Sequence, residues 1–176
     1  MFDHIKNLFR VTVFGKLSRY LATYILSWIL FPEDFGAIAI ATAYSQFILI
    51  FKNSGIQSYY LQNFSEKKNE NNTIFTLDVL VSCILGFLLM VSSVYLKSFG
   101  VVEEIISNII FFSGINTVLT GFFGVYVYNL KWKLEFRKYS NFMIKSDVLA
   151  SISKVLFAFA GLGAISFVLG DIVANI

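Results

Sequence analysis

An all-α integral membrane protein, with about five transmembrane helices, is the fold class that three observations predict. Of 176 residues, 57% are hydrophobic and only 14% are charged, where soluble globular chains carry about a quarter charged. The 20 Phe and 9 Tyr are more aromatic surface than a soluble core of this size can bury. The apolar residues also fall into segments of about 20 residues or more, enough to cross roughly 30 Å of hydrocarbon. Such spans are helices, because an isolated strand in lipid leaves backbone polar groups unpaired.

The segments lie near 11–31, 36–61, 74–96, 104–129 and 146–171. No small-residue cleavage site follows the first, which runs into Pro32-Glu33-Asp34 and a second apolar run, as an uncut span does. The second is interrupted by Lys52-Asn53-Ser54-Gly55. Loosened backbone at membrane depth lines protein or water, and interrupted helices recur at transporter substrate sites. The competing account is a helix that ends early, with 56–62 at the interface. Cys83, the only cysteine, lies inside the third segment, so an intrachain disulfide is excluded and a small apolar filler is the simple reading. The fourth leads into the long hydrophilic connection 131–145. In the fifth, Gly161-Leu162-Gly163 follows no strand and sits mid-span, so it marks packing or a bend rather than a dinucleotide loop. The chain stops on Asn175-Ile176 directly after an apolar helix, which predicts a fragment of a longer protein, a short protein being the alternative. His4 is the only histidine, which all but excludes a His-based metal site or catalytic triad within the chain.

Lysine and arginine counts set the orientation. The N-terminal flank with the start of helix 1 holds four, and the successive connections hold none, two, one and five. That alternation predicts a cytoplasmic N-terminus. Trp28 near one end of helix 1 and Tyr59, Tyr60, Tyr126, Tyr128 and Trp132 near the inner ends fit interfacial belts.

Each segment carries a polar or small-residue stripe at helical spacing. Helix 1 has Thr12, Lys16, Arg19, Thr23 and Ser27; helix 2 has Thr42, Ser45, Gln46 and Asn53; helix 3 has Asp78, Ser82, Gly86 and Ser93. Helix 4 has Ser113, Asn116, Thr117, Thr120 and Gly124, and helix 5 has Asp147, Ser151 and Lys154. Close helix packing accounts for most Ser, Thr and Gly. Five stripes together predict a bundle around a polar interior, lined by Thr23, Gln46, Asn53, Asn116 and Thr120.

The cations are more specific. Tyr20 to Phe31 covers roughly 18 Å of helix, too short to span, so Arg19 and Lys16 fall within the membrane. The same rise places Lys52 roughly 24 Å from the outer face and Lys154 roughly 9–10 Å from the inner one. Either these side chains snorkel to the cytoplasmic headgroups, or they face a cavity. Asp78 and Asp147 lie nearer the inner rim, and no carboxylate matches all four cations in depth. The excess of positive charge at Lys16, Arg19, Lys52 and Lys154 predicts an anionic ligand, with Arg suited to a phosphate oxygen pair and Lys acting as a point charge.

Leu30-Phe31-Pro32-Glu33-Asp34-Phe35-Gly36 resembles the Leu-Thr-Pro-Glu-Asp-Phe-Gly signature between helices 1 and 2 of bacterial oligosaccharide flippases. These form the polysaccharide-biosynthesis branch of the multidrug/oligosaccharidyl-lipid/polysaccharide exporter superfamily. Asn53-Ser54-Gly55 with Leu61-Gln62 is similar to the family's Asp-x-Gly…Leu-x-Gln, and Leu134-Glu135-Phe136-Arg137 to its Leu-x-Phe-Arg. Gly161-Leu162-Gly163 with Gly170 is similar to the glycine pattern of helix 5. Phe31 replaces the usual Thr, and Asn53 stands where Asp is common. The signature also has a physical account: Pro32 suits the first position of helix 2, and Glu33 and Asp34 face the positive end of its dipole.

The resemblance implies the N-terminal portion of a two-bundle transporter that flips undecaprenyl-pyrophosphate-linked oligosaccharide across the bacterial cytoplasmic membrane by alternating access. It implies no resident cofactor, a coupling ion that is either proton or sodium, and partners among membrane lipids, glycan polymerases and other assembly proteins, with no nucleic acid. Three alternatives stay open. A drug or small-cation exporter would want acidic residues in the cavity. A membrane enzyme of glycan assembly would want catalytic carboxylates in a sizeable loop. A truncated, non-transporting remnant is the third.

Overall fold

The computed structural model describes residues 11–52, 68–133 and 135–175. A short π-helical stretch, Val11–Gly15, leads into α1 (Lys16–Leu26). Then follow α2 (Pro32–Leu49), α3 (Lys68–Ser98), α4 (Glu104–Trp132), α5 (Phe136–Phe159) and, after a 3₁₀ turn at Gly163–Ile165, α6 (Ser166–Ala174). No strand occurs among the described residues.

The helix boundaries follow local chemistry. Pro32 takes the first position of α2, where its missing N–H removes no intrahelical bond. One turn in, Asp34 Oδ2 accepts the Phe31 backbone N–H at 3.0 Å, and both Glu33 and Asp34 lie in the positive first turn. The second helix therefore starts four residues before the expected 36. At the far end of α3, Gly100 (φ +67°) closes the helix: its N–H reaches Lys97 O and the Val101 N–H reaches Leu96 O, both at 3.0 Å. α5 ends the same way at Gly161 (φ +84°), with Gly161 N–H on Ala158 O and Leu162 N–H on Phe157 O.

That second closure corrects the expected fifth helix over 146–171. The segment is two helices, because Gly161 and Gly163 (φ +53°) turn the chain back on itself. α6 returns antiparallel along α5, bringing Asp171 to Lys154 and Ala174 O to within 3.3 Å of Ser146 Oγ. The first segment is likewise shorter than 11–31: α1 closes at Leu26, and residues 27–30 form a turn.

Successive helices alternate in direction. α3 and α4 run antiparallel, with Ser93 on Ser107 (3.2 Å) at one end and Ser82 against Gly121 further along. Gly86 and Gly114 let the two backbones approach closely, since a β-carbon at either would sit under 3 Å from the other's carbonyl oxygen. The main apolar cluster joins α2, α3, α4 and the 3₁₀ turn through Ala37, Ala41, Ile48, Leu85, Leu89, Ile109, Ile110 and Ala164. A smaller one joins α1 and the turn after it to α5 through Leu26, Leu30 and Ala158.

Trp28, Phe31, Phe47, Phe87 and Phe99 are exposed, whereas Asp78, Ser82, Ser93, Thr117, Asp147 and Ser151 are buried. Apolar side chains outward and polar ones inward is the arrangement that lipid favours. Two helices are long and apolar enough to cross a membrane by length and composition: Phe75–Ser98 within α3 and Glu104–Gly124 within α4.

Candidate functional site

A cavity of about 400 Å³ lies between α4 on one side and α5 and α6 on the other, with Arg19 of α1 at its wall. Its volume falls within the roughly 300–1,000 Å³ of small-ligand sites. α4 supplies Asn116, Thr120, Gly124, Tyr128 and Lys131, which lie on one face because they recur at three- and four-residue intervals. α5 supplies Tyr139, Phe142, Ser146 and Asp147; the returning α6 adds Asp171, and Asn175 just past its end completes this wall. Asn175 Nδ2 donates to Asn116 Oδ1 at 2.8 Å and so ties the end of α6 to α4.

Arg19 is fixed by Asp147. Nε and Nη2 both donate to Oδ1, at 3.2 and 2.5 Å, and the Asp147 side chain is 12% exposed against 61% for Arg19. Gly15 makes the contact feasible, since a β-carbon there would overlap Asp147 Oδ2. Lys131 stands at the other end of the cavity, its Nζ 5.3 Å from the centre of the Tyr139 ring. Burial holds the Lys131 ammonium below the usual lysine range. Burial, and then the Asp147 carboxylate, push the Tyr139 phenol up.

The expected cation cluster does not form as such. Arg19 lines the cavity, while Lys16 is exposed and lines neither this cavity nor its neighbour. Lys154 is turned into the α5–α6 contact, where Nζ meets Asp171 Oδ1 at 2.7 Å and lies 5.4 Å from the Phe167 ring centre. Lys52 donates to Thr120 Oγ1 at 2.9 Å from the end of α2. For two of the four cations the expectation of uncompensated positive charge is corrected: Asp147 answers Arg19, and Asp171 answers Lys154. The cavity wall carries two cations, Arg19 and Lys131, and two carboxylates, Asp147 and Asp171.

Of the expected polar lining, Asn116 and Thr120 face the cavity. Gln46 and Asn116 line an adjoining space of about 150 Å³ with Ser45, Thr42 and Asp171. Thr23 is exposed and bonds back to Arg19 O at 2.9 Å, and Asn53 lies outside the described residues. The signature residues sit elsewhere, at the opposite end of α2 from Lys52. Phe35 packs edge-on to Phe167 at 6.1 Å, the nearest neighbour of a β-carbon at Gly163 would be Asp34 Oδ1 at 3.8 Å, and Gly36 has nothing within 4 Å of such a carbon. Asp171, Lys131, Tyr139 and Asn175 were absent from the expected site. Lysine-to-carboxylate pairing across a chain reversal has no periodic signature, so Asp171 had no signal beyond the two glycines that make the turn.

The wall offers carboxylate and amide acceptors, guanidinium, ammonium and hydroxyl donors, and the aromatic faces of Tyr128, Tyr139 and Phe142. No group of three or more His, Cys, Asp or Glu able to hold a metal occurs among the described residues. A helical bundle with exposed apolar faces, and with charged and amide groups in the cavity between its helices, has the build of a membrane protein. A family model described as polysaccharide biosynthesis protein matches residues 25–176, and the chain belongs to that family. No curated protein and no solved structure matches it.

Proposed function

We propose that the chain forms part of a flippase that moves a lipid-linked oligosaccharide across the bacterial cytoplasmic membrane, with its N-terminus in the cytoplasm. The observation that carries this reading is the cavity between α4 and the α5–α6 hairpin, whose largely apolar wall carries charged, amide and hydroxyl groups, within helices whose outer faces are apolar. Such a site shelters a glycan within the bundle while the lipid tail stays in the bilayer. Hydroxyl-rich sugars suit paired carboxylates and amides, which accept and donate together, and flat aromatic faces. The carrier's pyrophosphate is the anion, and Arg19 and Lys131 are its contacts, with Lys16, Lys52 and Lys154 of the wider basic set outside this cavity. Alternating access is the transport mode, coupled to protons or sodium, with glycan polymerases and other assembly proteins as partners.

One observation favours a second reading. Asp147 and Asp171 face the cavity beside Tyr128 and Tyr139, as a small-cation exporter would require. Each carboxylate already holds a cation of the chain, which weakens that account.

The test is a deletion of the intact gene, complemented by the wild type or by Arg19→Gln, following radiolabelled lipid-linked glycan by leaflet. Complete units trapped on the cytoplasmic face, with less surface glycan, support translocation. Missing or shortened units without a trapped intermediate refute it and point to an enzyme of synthesis. Unchanged glycan with altered resistance to organic cations supports the exporter.

A further inference from the structure

A five-residue pattern occurs twice and builds the same local structure both times. Asp78-Val79-Leu80-Val81-Ser82 lies in α3, and Asp147-Val148-Leu149-Ala150-Ser151 lies in α5. In each, the serine Oγ donates back to the aspartate carbonyl at 2.7 Å. In each, the carboxylate is seated on a glycine of the neighbouring helix: a β-carbon on Gly15 would overlap Asp147 Oδ2, and one on Gly124 would overlap Asp78 Oδ2.

The two seats differ in occupancy. Asp147 receives two hydrogen bonds from Arg19, which stands one turn beyond Gly15 on the same helix. Asp78 is 1% exposed, and among the described residues neither of its oxygens has a hydrogen-bond partner. A buried carboxylate with no donor is among the most costly groups a fold can hold. One turn from Gly124, on the same helix, stands Thr120, and there the Lys52 ammonium is held at 2.9 Å. α1 runs parallel to α5 and α4 antiparallel to α3, so in both seats the cation lies displaced in the same sense, toward the C-terminal end of the aspartate's helix. Lys52 and Asp78 are close enough to attract one another electrostatically, yet no ion pair joins them.

We propose that Asp78 is a second cation seat and that its ligand is the Lys52 ammonium, which alternates between Thr120 and Asp78. The occupied seat at Asp147 shows which ligand this local structure takes: a nitrogen cation reaching in from one turn away. Thr120 and Gly124 are one turn apart, about 6 Å along α4, a distance the flexible four-carbon stem of a lysine covers. Among the described residues, Tyr128 and the glycine notch itself also face Asp78, and neither supplies a cation. Because Lys52 stands where α2 gives way to a turn, its change of seat would draw the end of α2 toward α3. Packed helices take discrete arrangements of this kind rather than a continuum. The proposal rests on the two seats alone and holds whichever ligand the cavity takes.

The experiment is a double-mutant cycle on the purified chain in lipid–detergent micelles, read by unfolding equilibria. Lys52→Gln and Asp78→Asn are combined in the wild type and in a Thr120→Val background. Removing the Thr120 seat leaves Asp78 as the remaining one, so the Lys52–Asp78 coupling should be severalfold in the wild type and at least tenfold with Thr120→Val, within the range of contacting pairs. Absence of coupling in both backgrounds overturns the proposal. A second measurement leaves the acid untouched, in case Asp78→Asn does not fold. Reductive methylation of Lys52, read by mass spectrometry, should be no faster in Thr120→Val than in the wild type, because Asp78 takes up the ammonium. Faster labelling overturns the proposal, as does coupling or protection that requires added sodium, which would make the seat a metal-ion site.

Discussion

Two glycine-to-alanine substitutions of identical chemistry are expected to act in opposite directions. At Gly114 the added β-carbon would lie 2.6 Å from the Gly86 carbonyl oxygen, 2.8 Å from Met90 Cγ and 3.2 Å from Met90 N. Two of those neighbours are backbone, so the α3–α4 crossing must open. Overpacking of this kind costs about 1–3 kcal/mol, and the better helix propensity of alanine returns about 1 kcal/mol. At Gly36, inside α2, nothing lies within 4 Å of the new carbon, so the roughly 1 kcal/mol of propensity remains as a gain. The two variants should differ by about 2 kcal/mol, roughly thirtyfold in the unfolding equilibrium constant. Unfolding in mixed micelles followed by far-ultraviolet circular dichroism measures both. Equal shifts of the same sign would refute the close α3–α4 approach. A stabilised Gly36→Ala that also lost glycan export would show that this signature glycine serves a contact outside the described residues.

Three further outcomes follow from the same geometry. Asp147→Asn should destabilise the chain by an amount between the roughly 1 kcal/mol of exposed pairs and the 3–5 kcal/mol of buried ones, since only one partner is well buried; Gly15→Ala should act in the same direction, and an unfolding titration of each checks it. Gly161→Ala should cost about 1–2 kcal/mol from backbone alone, because φ is +84° and no atom lies near the added carbon; a neutral result would refute the reversal between α5 and α6. For Lys131, whose folded value lies below the usual lysine range, the unfolded chain binds more protons in the window beneath that range. Stability should therefore rise with pH through that window and fall again as pH drops through the folded value. Lys131→Met should flatten that slope, and a ¹³C-methylated Lys131 should titrate below the ordinary lysine range.

Much of the architecture could be read from periodicity, because a membrane leaves few alternatives. The polar stripes of α3, α4 and α5 became the buried Asp78, Ser82, Thr117, Asp147 and Ser151, and Pro32 marked the start of α2. The pairing of charges was not legible. Rise along a single helix places Arg19 in the membrane but carries no sign that α5 runs beside it, 128 residues later in the chain. Lys154 and Asp171 are 17 residues apart in what read as one continuous helix. Only the left-handed Gly161 and Gly163 fold that segment back and bring the two charges together.

These pairings change what the proposed ligand would have to do. Unpaired cations would attract a pyrophosphate by adding opposite charge. Arg19 already spends two of its donors on Asp147, and Lys154 is engaged by Asp171. On the proposed reading, a phosphate reaching Arg19 competes with the Asp147 carboxylate for a planar fork that suits either. The Arg19–Asp147 bond is also one link between α1 and α5, beside the close approach of Gly15 to Asp147 and the apolar cluster that includes Leu26, Leu30 and Ala158. Binding by exchange would thus loosen α1 from α5 as the anion is taken up, whereas binding by addition would leave that link intact. On that reading, recognition of the anion and weakening of the α1–α5 link follow from the same hydrogen bonds.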